Sequence, residues 1–154
     1  MNSFITNGVV GWNLGNLQAG SNYRGPATAF PNGVPNGFNV FNIGAGSISQ
    51  QLVATVQPNT TYTVQVYVGA RADFAFGGYV VSLRANSTTL ASDNGTQVPS
   101  PGTFALATVN YYASASDPNV GQPLTIVLGG TGTGQANFDE VTLTATSGNT
   151  TGGS

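Results

Sequence analysis

Apolar and polar residues alternate with period two along most of this chain, and no long window carries the roughly 3.6-residue period of a helix. Tyr62, Val64, Val66 and Val68 fall on one face of a stretch whose other face is Thr63, Gln65 and Tyr67. Tyr79, Val81, Leu83 and Ala85 alternate in the same way with Val80, Ser82 and Arg84, and Leu124, Ile126 and Leu128 mark another such run. Ser47–Gln57 puts Ile48, Leu52, Ala54 and Val56 on one face together with Gln50. Such alternation predicts antiparallel strands with one buried face. Phe104–Ala113 is apolar on both faces, which predicts a central strand. Phe38–Ile43 reads as a short strand, and Ala136–Ala145 as the last one, with Asp139, Val141, Leu143 and Ala145 all pointing inward.

Turn chemistry punctuates these runs at Pro58-Asn59-Thr60, Asp93-Asn94-Gly95, Pro99-Ser100-Pro101-Gly102 and Asp117-Pro118-Asn119. The glycine run Gly129–Gly134 reads as a flexible loop, since it lacks the lysine and helix of a phosphate-binding loop. Asn13–Gly37 has no period, and a long structureless segment in a compact domain is commonly functional. The predicted fold is all-β: an antiparallel two-sheet β-sandwich of jelly-roll type, one domain over 1–146, with a polar Gly/Thr/Ser tail over 147–154.

Composition changes the functional picture more than any motif does. The chain has no histidine, cysteine or lysine, three arginines and five carboxylates: Asp73, Asp93, Asp117, Asp139 and Glu140. Activated nucleophiles, zinc sites and most acid–base pairs need side chains that are missing here. A glycosidase needs two facing carboxylates. The expectation is therefore a protein that binds or builds and is not an enzyme. A net charge of −2 with scattered arginines argues against nucleic acid. No apolar run is long enough for membrane insertion.

The order Gly11-Trp12, Asn32–Asn39, Gly46–Gln50, Asn59–Thr63 and Asn137–Val141 resembles small β-sandwich domains of cyanobacterial secreted proteins of the PEP-CTERM-associated type. The resemblance spans Asn2 to Ala145 and implies a galactose-binding-like jelly roll acting as a non-catalytic scaffold. In related jelly rolls the position of Asp139 can be a calcium ligand. An inward Asp139 needs loop amides, an arginine or a cation. A structural calcium at Asp139 is thus one expectation, and amide hydrogen bonds are the alternative; no other cofactor is expected.

Aromatic and cationic residues in or beside loops are the candidate ligand or partner contacts: Tyr23, Arg24, Phe30, Arg71, Phe74 and Phe76. The alternative is that the phenylalanines staple the long segment to the sandwich. An extracellular type of surface without a visible signal peptide favours a phage virion decoration or cement protein, with a capsid lattice or its own copies as partner. A secreted carbohydrate-binding or cell-surface module, with a glycan as partner, is the alternative. Localisation follows each: the virion, or the cell exterior.

Overall fold

The computed structural model describes residues 4–5, 20–24, 30–31 and 39–147. Eight strands carry the fold: β1 (Phe4–Ile5), β2 (Gly20–Arg24), β3 (Asn39–Thr55), β4 (Thr60–Gly69), β5 (Tyr79–Ala85), β6 (Thr88–Asp93), β7 (Phe104–Ala113) and β8 (Pro123–Ser147). All strand pairs are antiparallel, and the described residues contain no helix. None of them therefore forms a helix long and apolar enough to cross a membrane. The strands join in the order β1-β2-β3-β8-β4-β7, with β5 bonded to β8 and β6 to β5. The first part of β8 runs between β3 and β5, and its later part runs beside β4. The sheet thereby curls nearly into a barrel.

Its interior is the set of faces that alternation predicts. Tyr62, Val64, Val66 and Val68 of β4 meet Tyr79, Val81, Leu83 and Ala85 of β5, with Leu124, Ile126, Leu128 and Phe138 of β8. Other expectations change. Phe104–Ala113 is not central: among the described strands β7 pairs only with β4, and Leu106 and Tyr112 are exposed. β3 is one strand of 17 residues where two were expected. It advances from Gln51 to Thr55 while β8 moves only from Thr125 to Pro123, which throws Val53 fully into solvent and leaves Ala54 exposed. Within the expected long loop, Gly20–Arg24 is a strand on β3, although Gly-Ser-Asn-Tyr-Arg carries no apolar alternation to announce it.

The glycine run is likewise part of β8. Between Thr131 and Ala136 that strand bulges, spending five residues where β3 spends two. Glycine is required there by close approach. A Cβ on Gly130 would lie 2.5 Å from the carbonyl oxygen of Gly44, and one on Gly134 would lie 2.6 Å from that of Ala75. Gly130→Ala is expected to cost about 1–3 kcal/mol through this backbone clash. A urea denaturation midpoint equal to that of the wild type would refute it.

A buried polar pair fixes the link between β6 and β7. The Tyr79 hydroxyl donates to Asp93 Oδ2 at 2.6 Å and accepts from the Gln97 N–H at 3.0 Å, while Thr96 N–H donates to Asp93 Oδ1 at 3.1 Å. Burial, helped by the adjacent carboxylate, pushes the Tyr79 phenol up to about 12. Desolvation alone would raise the Asp93 carboxyl, but donors from Tyr79 and Thr96 outweigh it and hold the group below its usual 3.8. A depressed folded pKa means that Asp93 stabilises the fold above the unfolded value and loses that contribution as pH falls through the folded one. Tyr79→Phe should therefore cost about 1–3 kcal/mol at neutral pH and move acid unfolding to higher pH. Melting curves between pH 7 and pH 3, taken as approximate limits, check both effects.

Candidate functional site

A β-bulge decides where the last strand presents its carboxylate. Glu140 has a left-handed φ of 56°, and β8 advances three residues, Asp139 to Thr142, while β4 advances two, Tyr67 to Gln65. One extra residue reverses the parity of everything before it. Val141 and Leu143 pack against the core as expected, but Asp139 pairs with Tyr67 and turns to the outer face. The inward placement of Asp139 is thus corrected: simple alternation does not survive the bulge.

The outer face around Asp139 is built in rows across paired strands. Asp139, Tyr67 and Leu106 form one row across β8, β4 and β7. Asn42, Asn137, Gly69 and Phe104 form the next, across β3, β8, β4 and β7. Asn42 and Asn137 are buried, and the Phe104 ring lies on Gly69 where a side chain would otherwise stand. Phe30 packs on Phe104 with ring centroids 4.6 Å apart and is 2% exposed. In the opposite direction the face becomes an uncharged polar field, with rows Gln65–Thr142–Thr108 and Thr63–Thr144–Asn110.

The other carboxylates serve local structure or solvent. Asp73 takes two bonds from Arg71, at 2.8 and 2.9 Å. Asp93 is held by Tyr79 and Thr96. Asp117 caps its turn, accepting from the Asn119 N–H at 2.7 Å and from the Tyr111 hydroxyl. Those donors hold the Asp117 carboxyl below its usual range, and the Tyr111 phenol is raised in return. Glu140 is exposed at the bulge. Asp139 alone of the five combines partial burial with a place on a sheet face beside aromatic rings.

The sequence candidates separate into three groups. Arg71, Phe74 and Phe76 come together on one segment after β4, Phe74 being 52% exposed and Phe76 packed against the core. Phe30 is buried against Phe104. Tyr23 and Arg24 lie in β2, opposite Val40 and Asn39, but their side chains fall outside the described residues, as do Trp12 and Phe38. For calcium at Asp139 the fit is poor. Among the described residues no three His, Cys, Asp or Glu converge. The β8 backbone beside Asp139, at Asn137 and Phe138, is paired with β3 on one edge and β4 on the other. A calcium ion wants about six to eight oxygens.

The described residues thus form a curled, all-antiparallel sheet whose outer face carries the Asp139 carboxyl opposite Tyr67. The HpiC1-like family profile, described as HpiC1 cyclase, matches residues 1–144, and the chain belongs to that family. Among solved structures it is similar to an apo cyclase from Fischerella sp., at 26% identity and a TM-score of 0.85, covering 97% of this chain and 89% of that one. A Fischerella cyclase holding 4-(1H-indol-3-yl)butan-2-one is 26% identical with a TM-score of 0.83, covering 97% and 90%. A Stig cyclase from the same genus, in complex with (3Z)-3-(1-methyl-2-pyrrolidinylidene)-3H-indole, is 25% identical with a TM-score of 0.85, covering 96% and 90%. No curated protein matches the sequence.

These findings overturn several expectations. The family is one of cyclases, not of PEP-CTERM-associated or phage domains, so the non-enzyme, virion-decoration, cement-protein and carbohydrate-module readings fail, and the virion location with them. The physical error is identifiable. The side-chain inventory weighs against hydrolysis and nucleophilic catalysis, whereas the cyclisations of this family are a different class of reaction.

Proposed function

We propose that the protein is a proton-promoted cyclase for an indole-bearing, largely apolar substrate bound on the outer face of β8, β4 and β7, with Asp139 as the proton donor. The observation that carries this reading is the bulge at Glu140, which turns Asp139 out of the core to the outer face opposite Tyr67. The substrate class rests on the indole compounds held by the Fischerella cyclases. On the same reading the curled sheet is a two-sheet jelly roll, divided where β8 passes from β5 to β4.

The chemistry balances without a co-reactant. The Asp139 carboxyl gives its proton to one carbon of a substrate π-bond, leaving a carboxylate and a substrate carbocation. A second π-bond of the same molecule attacks that cation and forms the new carbon–carbon bond. Loss of a proton from the cyclised cation restores the acid, so the product is an isomer of the substrate. The composition suits this route, because a chain without histidine, cysteine or lysine cannot trap the cation with imidazole, thiol or amine. Tyr67 offers a π-face for the positive charge.

Incubation with an indole carrying a tethered alkene should give an isomer of unchanged mass, and in D2O one deuterium should be retained in the product. Absence of any isomer, together with no calorimetric binding of 4-(1H-indol-3-yl)butan-2-one, would overturn the proposal.

A further inference from the structure

Beyond the end of β4, residues 70–77 cross the sheet as a strap before β5 begins. Both ends are fastened. Ala70 exchanges backbone bonds with the β7 side, donating to Thr103 O at 3.0 Å and accepting from the Gly102 N–H at 2.6 Å. Gln135 of β8 holds the strap at three points, two of them at its other end. Its N–H donates to Ala75 O at 3.0 Å, its carbonyl accepts from Gly77 N–H at 3.3 Å, and its Oε1 accepts from Arg71 Nη1 at 3.4 Å. Thr131 and Thr133 hydroxyls both donate to Gly77 O. The strap is a rigid element, not a free loop.

What it presents is an aromatic ring held from one side. Phe76 turns into the core, 6.4 Å from the Tyr79 ring, whereas Phe74 stands 52% exposed. The Arg71 guanidinium lies 5.9 Å from the Phe74 ring centroid and is itself fixed by the two-pronged bond to Asp73. Grooves flank Phe74: one of about 540 Å³ that Arg71, Phe76, Val98 and Pro101 also line, another of about 480 Å³ bordered by Ala45, Thr133 and Gln135. Either is large enough for a bicyclic aromatic. Holding an exposed phenylalanine in a frame this rigid lets a flat ligand stack without an added ordering cost.

We infer that Phe74 is the shelf on which the substrate's planar ring rests, and that Arg71 is a positioning residue that sets the angle of that shelf. The inference rests on the cyclase reading and adds to it the place where the ring is held. It also predicts a selectivity: planar aromatic substrates are preferred over saturated analogues of the same volume.

Calorimetry with 4-(1H-indol-3-yl)butan-2-one and steady-state kinetics with the tethered-alkene indole test this on four variants. Phe74→Ala should weaken binding and raise KM about tenfold, with kcat much less affected, since one stacking partner is removed. Phe74→Trp should restore both constants. Arg71→Lys should raise KM about threefold, because an ammonium cannot hold Asp73 with a fork. Asp139→Asn should keep the probe's affinity and lose turnover. Wild-type affinity in Phe74→Ala would overturn the shelf while leaving the cyclase reading intact. Loss of affinity in Phe74→Ala and Phe74→Trp alike would also overturn it, since a stacking shelf must accept the larger ring. A wild-type protein that neither binds the probe nor turns over the indole would remove the cyclase reading and the shelf together.

Discussion

Asp139→Asn is expected to lower turnover by about a hundred- to ten-thousand-fold while leaving the melting temperature close to that of the wild type. The magnitude is that of removing a positioned acid from a proton-transfer step. The amide has the same shape and still accepts and donates hydrogen bonds, but it has no acidic proton to deliver. Stability should be spared because the side chain stands on the outer face beside Tyr67 and outside the apolar cluster. The contrast with the other acids makes the test specific. Asp93→Asn should act on stability through Tyr79 and Thr96, and Asp117→Asn through its turn, neither through the reaction. A rate within about threefold of wild type in Asp139→Asn would show that proton delivery comes from elsewhere.

Most of the scaffold is legible in the chain because it obeys one local rule. Where each strand keeps period two over an unbroken ladder, as in β4 and β5, the buried face can be read residue by residue. The rule fails at irregularities that leave no apolar signature. An exposed glutamate in a left-handed conformation is enough to turn Asp139 from inward to outward. A run of glycines looks like a loop because side-chain patterning vanishes there, yet the absence of side chains is what lets β3 and the strap approach β8. Phe74 and Arg71 are legible as candidates, being an aromatic and a cation in the segment between two alternating runs. The rigid frame that gives them meaning depends on Gln135, 64 positions away from Arg71. Function is illegible for a different reason: an inventory of side chains counts what hydrolytic and nucleophilic catalysis require, and membership of a cyclase family is not written in that inventory.

The position next to that acid carries the largest expected loss of stability. Phe138 is 2% exposed and sits between Phe41 of β3 and Val68 of β4 in the ladders. Its ring stands edge-on to Tyr79, with centroids 6.4 Å apart and planes at 81°. Phe76 is the same distance from Tyr79 on its own side, so three rings link the strap, β5 and β8. Phe138→Ala removes the ring that joins the two halves of the curl and leaves a cavity between strands too well paired to collapse. The expected cost is about 3–5 kcal/mol, a large share of the roughly 5–15 kcal/mol that holds a domain together. For a chain of this length that corresponds to a melting point lower by roughly 6–20 °C. Phe138→Leu, which refills most of the volume, should recover more than half of the loss and retain turnover, because the backbone pairs that aim Asp139 stay in place. A Phe138→Ala protein that melts within about 2 °C of wild type would mean that the aromatic junction is not what holds the sheet closed.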